Sequence, residues 1–128
     1  MQGYANTLAL EEYNKYVEGQ TGDGYGSEGN KRVKPVKGLA AFQSAHPVPE
    51  SSSGWYWPSV CELKQVCWGQ GNSSGTSGKN MLNTQIGKVD RGTTFGYSYC
   101  YWSSTEDSDR SDNAWYVDFY DGYVYCNG

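Results

Sequence analysis

The side chains of this chain that could act as nucleophiles or soft metal ligands are few: Cys61, Cys67, Cys100, Cys126 and a single histidine, His46. A zinc site needs thiolates and imidazoles at short, repeated spacings. These four cysteines are widely scattered and His46 is remote from all of them, so the sequence predicts no metal and no cofactor. Asp107, Asp109 and Asp112 could hold a hard cation, but the stretch lacks the glycine and distal glutamate of a calcium loop and reads as a solvated acidic loop. The glycine-rich residues 23–29 have the look of a phosphate cradle. No strand precedes them and no Gly-Lys-Ser/Thr follows, so they read as a connector.

What the chain has in abundance is tyrosine. Its 128 residues include 12 Tyr, 5 Trp and 17 Gly, with 37% hydrophobic and only 19% charged residues. A chain of that length supports one core, so a single domain over residues 1–128 is expected and a multidomain enzyme excluded. Poverty in aliphatic residues argues against a helical bundle and for a loop-rich domain with an aromatic core. No window is apolar enough for a membrane span. The net charge is −4, and residues 95–128 carry Glu106, Asp107, Asp109, Asp112, Asp118 and Asp121 against Arg110 alone. A nucleic-acid binder needs a basic face, which the acidic C-terminal quarter does not supply. The basic run at residues 31–37 reads as a solvated edge or loop. The chain opens Met-Gln-Gly-Tyr, without the basic and apolar regions of a secretory signal.

Around these residues the sequence predicts the following elements. Asn6 and Thr7 are good N-caps ahead of a short helix over 8–17, which gives way to a glycine-rich loop over 19–29. A second short helix over 38–45 is stopped by His46-Pro47, leaving His46 at the surface. Ser59-Val60-Cys61-Glu62 has the form of a capping box, so a helix starts at Val60 with Val60, Leu63, Val66 and Cys67 on one face. Residues 69–78 form a loop, and 79–86 a last helix ending at Gly87. From Phe95 the period becomes two: Tyr97, Tyr99 and Tyr101 alternate with Ser98, Cys100 and Trp102, and Trp115, Val117 and Phe119 with Tyr116, Asp118 and Tyr120. A polar loop over 105–113 separates the two runs.

Asp121-Gly122 between alternating residues predicts a two-residue type I′ hairpin that pairs Tyr120 with Tyr123, Phe119 with Val124 and Val117 with Cys126. Trp115, Val117, Phe119, Val124 and Cys126 then face the core, and Tyr116, Asp118, Tyr120, Tyr123, Tyr125 and Asn127 face away. Cys100 also falls on the inward side, as an inert thiol or half of a disulfide with Cys126. More than half of the chain's aromatics lie in the last 34 residues, too large an aromatic surface to leave bare without a partner. Tyrosine with Ser, Asn, Gly and Asp is also the composition of paratopes. The expected binding surface comprises Tyr97, Tyr99, Tyr101, Tyr116, Asp118, Tyr120, Tyr123, Tyr125 and Asn127. Asp121 lies at its turn, and Asp107, Asp109, Arg110, Asp112 and Asn113 form the loop at its edge.

Five ordered motifs then carry a resemblance: Gly54-Trp55-Tyr56-Trp57-Pro58-Ser59 with Glu62-Leu63; Leu82-Asn83; Tyr101-Trp102-Ser103-Ser104-Thr105-Glu106; Ala114-Trp115-Tyr116-Val117-Asp118-Phe119; and Asp121-Gly122-Tyr123-Val124. Over residues 38–126 the chain resembles the C-type-lectin-like domains related to formylglycine-generating enzymes, found in gut-bacterial surface proteins and phages. Within that family it is similar to the variable proteins of diversity-generating retroelements, whose C-terminal stretch interleaves fixed residues with variable ones. The resemblance implies an α+β, C-type-lectin-like fold of short helices around a small twisted antiparallel sheet. It implies a ligand-binding variable region over 95–128 and no catalysis. The implied partner is a protein or glycan receptor on a cell surface, met from a virion or another cell, with homo-oligomerisation open. Residues 1–37 match no motif of the family, and Trp57 stands where it usually has an aliphatic residue, which should crowd the core. Two alternatives are a cysteine-oxidising enzyme of the formylglycine-generating kind, which needs two reactive thiols in a cleft, and a plain carbohydrate-binding module. The Glu-Pro-Asn, Gln-Pro-Asp and Trp-Asn-Asp sequences of calcium-dependent sugar binding are absent.

Overall fold

The computed structural model describes residues 2–20, 39–96, 99–110 and 113–127. The glycine-rich loop beyond Gln20, the basic run at 31–37, Tyr97 and Asp112 lie outside them. The chain divides into two compact units, Met1–Trp57 and Pro58–Gly128.

In the first unit, α1 spans Gln2–Glu18 and α2 spans Leu39–Ala45. The expected caps Asn6 and Thr7 are instead interior to α1. Thr7 Oγ1 donates to the carbonyl of Gly3 at 2.9 Å, the back-bonding that lets threonine sit inside a helix, and accepts the Trp57 N–H at 2.9 Å. Trp57 is half-buried and lies in this unit, outside the core cluster formed by the second. Helix α2 ends before His46-Pro47 as the pre-proline restriction requires. His46 is exposed, its ring stacked on Phe42 at 4.2 Å, while Trp55 Nε1 donates to the His46 carbonyl at 2.7 Å.

The second unit is α+β, with α3 (Val60–Trp68), α4 (Ser77–Ile86) and strands β1 (Cys100–Glu106), β2 (Ala114–Asp118) and β3 (Val124–Asn127) in an antiparallel sheet ordered β1-β2-β3. Helix α3 begins where the capping box puts it: the Ser59 side chain accepts the Glu62 N–H, and Glu62 Oε2 accepts the Ser59 N–H at 2.8 Å. The next orphan donor, Val60 N–H, goes to Thr105 Oγ1 at 3.0 Å, and the Pro58 carbonyl accepts both the N–H and Oγ of Ser104. Ser103 Oγ donates to the Trp115 carbonyl at 2.7 Å. The Ser-Ser-Thr run of β1 therefore bolts the start of α3 to the sheet, and the β1–β2 pairing is irregular between Trp102 and Glu106, where these residues turn to that task.

The core is Leu63, Cys67, Val117 and Phe119, with Val60, Val66, Trp68, Phe95, Tyr101 and Val124 packed against it. Leu63 and Cys67 come from the predicted face of α3, and Cys61 is exposed on the other side. Asn83 of α4 grips Phe95 through both backbone groups, donating to its carbonyl at 2.9 Å and accepting its N–H at 2.8 Å.

The hairpin between β2 and β3 departs from the predicted register by two residues. Val117 pairs with Val124, Trp115 with Cys126 and Tyr116 with Tyr125, and the strands are joined by the five residues 119–123. A shift of two leaves every side chain on its expected face. Three tertiary ties override the two-residue turn. Phe119 is fully buried in the core, its carbonyl accepts a hydrogen bond from Nζ of the buried Lys79, and Trp68 Nε1 donates to the Gly122 carbonyl at 2.6 Å. Gly122 has φ +82°, and a Cβ there would run into the Gly75 carbonyl, so glycine is required twice over.

Candidate functional site

The strand pairings, with one backbone bond from Asp118 to Tyr123 just ahead of β3, arrange the outer face of the sheet as three rows of three. Glu106, Ala114 and Asn127 form one end; Trp102, Tyr116 and Tyr125 form the middle; Cys100, Asp118 and Tyr123 form the other end, the Asp118 N–H donating to the Tyr123 carbonyl at 2.9 Å. The aromatic rings make a continuous ladder, with centroids 5.0 Å apart from Trp102 to Tyr116, 5.5 Å from Tyr116 to Tyr125 and 6.3 Å from Tyr125 to Tyr123. Cross-strand aromatic pairs of this kind stabilise a sheet locally. They still leave much of their area in water: Trp102 is 53%, Tyr123 65% and Tyr125 43% exposed, and Tyr120 at the hairpin tip is 70% exposed.

The acidic residues around the tip have a structural task as well. Asp118 Oδ1 accepts the Tyr120 N–H at 2.8 Å and Asp121 Oδ1 accepts the Tyr123 N–H at 2.9 Å, two side-chain turns that fix where Tyr120 and Tyr123 point. Their charge reaches across the face. Loss of solvent first, and then Asp118 and Asp121, pushes the Cys100 thiol above its ordinary range, and loss of solvent followed by Asp121 and Asp118 does the same to the Tyr125 hydroxyl.

Of the residues expected from sequence, the structure brings Tyr116, Asp118, Tyr123, Tyr125 and Asn127 together on one face, with Tyr120 and Asp121 at its tip. It moves others away. Tyr101 pairs with Val117 and so shares the core side, its ring 4.5 Å from Phe119 and 5.6 Å from Phe95. Tyr99 is exposed ahead of β1, with its carbonyl accepting the Phe119 N–H. Cys100, expected inward, pairs with Asp118 and is exposed on the outer face. The alternation in β1 thus runs one residue out of step with the expectation.

Asp107 and Asn113 also lie away from the ladder. The Asp107 N–H bonds to the Asn113 carbonyl and Asp107 Oδ1 accepts the Asp109 N–H at 3.0 Å. The Asp107 carboxyl is held below its usual range by that backbone bond first and by the Cys126 thiol second, while Cys126, bonded to Asp107 and also to Asn113, is raised. Since Cys126 pairs with Trp115 on the core side, Asp107 and Asn113 belong to that side and not to the tyrosine face. Arg110, exposed with Asp109 on the same loop, acts on Asp107 and Cys126.

Sequence reasoning missed Trp102, Glu106 and Lys79. Trp102 and Glu106 were readable from the parity of β1 once its pairing with β2 is known. Lys79 gives no such signal, because a lysine beside Gly78 and Asn80 has the composition of a surface turn. The four cysteines are free. Cys100 and Cys126 stand on opposite faces with β2 between them, two strand spacings of about 4.8 Å apart, and cannot form a disulfide without moving the sheet. Among the described residues no group of His, Cys, Asp and Glu is placed to hold a metal ion, and no helix is long and apolar enough to cross a membrane. Compared with protein-family models, with curated proteins and with solved structures, the chain matches none of them.

Proposed function

We propose that the second unit is a receptor-binding module that recognises its target through the outer face of the sheet, on a scaffold of the C-type-lectin-like kind. The observation that carries this is the aromatic ladder Trp102–Tyr116–Tyr125–Tyr123, standing in water on the face opposite Val117 and Phe119. Burying large, rigid rings yields wide contact area at low conformational cost, which is why Tyr and Trp dominate the anchors of interfaces. The support beneath them is rigid: a buried core, the Ser-Ser-Thr bolts to α3, and Lys79 with Trp68 under the hairpin tip. In this reading the outer positions of β2, β3 and the tip are those a retroelement would vary, while the ties beneath are fixed by the fold.

Fluorescently labelled protein, offered to a panel of intact bacterial and animal cells, should bind a subset of them saturably. The double variant Tyr116→Ala/Tyr125→Ala, with an unchanged circular dichroism spectrum, should lose that binding. Equal binding by the double variant would overturn the proposal. For the scaffold's origin the test is the neighbouring DNA: a reverse-transcriptase gene with a near-copy of the coding stretch for residues 95–128 that differs at adenines supports the retroelement reading, and its absence removes it.

A further inference from the structure

The nine outward positions of the sheet are chemically one-sided. Four are aromatic (Trp102, Tyr116, Tyr123, Tyr125), two are carboxylates (Glu106, Asp118), and among all nine there is no Lys or Arg. Arg110, the single cation of residues 95–128, acts on the Asp107 and Cys126 side of the sheet. The carboxylates lie on opposite sides of the Trp102–Tyr116–Tyr125 row. Glu106 lies beside Ala114 and Asp118 is four residues further along β2, about 13 Å away at roughly 3.3 Å per residue. Asp121 adds a third negative charge at the tip, and its influence with that of Asp118 is felt on both β1 and β3.

Electron-rich ring faces and carboxylates with no cation among them attract one kind of group. An ammonium satisfies the carboxylates, but a guanidinium does more, since its plane stacks on Tyr and Trp while its edge forks onto a carboxylate. A neutral sugar would meet the rings and leave the two carboxylates with nothing to neutralise them. We infer that the partner of this face is a protein surface presenting arginine side chains, seated on the Trp102–Tyr116–Tyr125 row and paired with Asp118 and Glu106 on its two sides. This rests on the recognition role proposed above and narrows it from a protein or glycan receptor to a basic protein segment. An extended segment with arginines four residues apart spans the same distance of about 13 Å as the two carboxylates.

The test uses the full chain and four defined probes: hexa-arginine, hexa-lysine, hexa-citrulline and maltohexaose, titrated while following the indole resonance of Trp102. The expected result is binding of hexa-arginine at least threefold tighter than hexa-lysine and at least tenfold tighter than hexa-citrulline or maltohexaose. Tyr116→Ala and Asp118→Asn, the latter keeping the oxygen that accepts the Tyr120 N–H, should each weaken hexa-arginine at least fivefold, and Asp109→Asn less than twofold. The inference is overturned if lysine binds as well as arginine and Asp109→Asn weakens binding as much as Asp118→Asn, which would mean diffuse attraction to an acidic chain. It is equally overturned if maltohexaose binds in a Tyr116-dependent way, or if hexa-arginine fails to bind. Should hexa-arginine fail while Tyr116→Ala/Tyr125→Ala still abolishes cell binding, the recognition role stands and only its arginine chemistry falls. If cell binding survives that double variant, both fall.

Discussion

The two faces of the three-stranded sheet carry the same kinds of side chain and put them to opposite uses. On the inner face Tyr101 packs its ring against Phe119 and Phe95, and its hydroxyl accepts the Gly96 N–H. On the outer face Tyr116, Tyr123 and Tyr125 make contacts of similar separation with one another and with Trp102, yet nothing described covers them. An aromatic pair by itself therefore says nothing about which side of a sheet is core. What decides is the layer behind it: α3 sends Leu63 and Cys67 to one face only.

Several substitutions can break or sharpen this contrast, and the largest effect belongs to the inner face. Phe119→Ala should cost roughly 3–5 kcal/mol of stability in denaturant titration, through lost transfer free energy and the cavity left behind. Next is Lys79→Met, which keeps the stem but leaves the Phe119 carbonyl without that donor, at a cost of about 1–3 kcal/mol. Both should lower the melting temperature, whereas a conservative change at the exposed Cys61 should not. On the outer face the loss shifts from folding to binding. Tyr123→Ala or Tyr120→Ala should leave the unfolding midpoint nearly unchanged and remove about 1–3 kcal/mol of receptor affinity, as truncated aromatic anchors do.

The smallest effect concerns the loop over 107–113 and acid. Asp107 is held below its ordinary value by the Asp109 N–H and the Cys126 thiol. A carboxyl depressed in the folded state stabilises that state above its unfolded value near 3.9 and loses the contribution as pH falls through the lower folded value. The amide resonance of Asn113 should therefore follow an acid transition that lies lower in the folded chain than the Asp107 carboxyl shows in the urea-unfolded chain. With Asp107→Ala the amide resonances of Asp109 and Asn113 should already be displaced at neutral pH.

Much of the scaffold was legible because local chemistry decided it. The capping box at Ser59 and Glu62 started α3 where expected, and the apolar face of that helix followed from its period. The inward set Val117 and Phe119 survived a two-residue error in the hairpin because such a slip preserves parity. Where two alternations compete, local chemistry does not decide. Residues 97–102 offer Tyr at odd positions and Ser, Cys and Trp at even ones, both sets can sit in a strand, and only pairing with β2 shows that Tyr101 goes in and Trp102 stays out. The longer hairpin loop was hidden for a related reason. Asp121-Gly122 favours a tight turn by itself, but the hold of Lys79, Trp68 and Gly75 on the tip comes from segments forty or more positions away. Asp107 and Asn113 read as loop polarity until the Cys126 thiol is seen to draw them to the core side.

The most direct test of a core face and a recognition face back to back is the neighbouring pair Tyr101 and Trp102. Each would be replaced by alanine, and the melting temperature and cell binding of both variants measured on the same preparations. Tyr101→Ala should be clearly destabilised, by about 3 kcal/mol or more, and should bind normally below its melting temperature. Trp102→Ala should melt within a few degrees of the parent and bind at least tenfold more weakly. The reverse pattern, with Trp102→Ala unfolding and Tyr101→Ala losing only its binding, would contradict the account, because β1 would then be turned over and the aromatic ladder would lie inside.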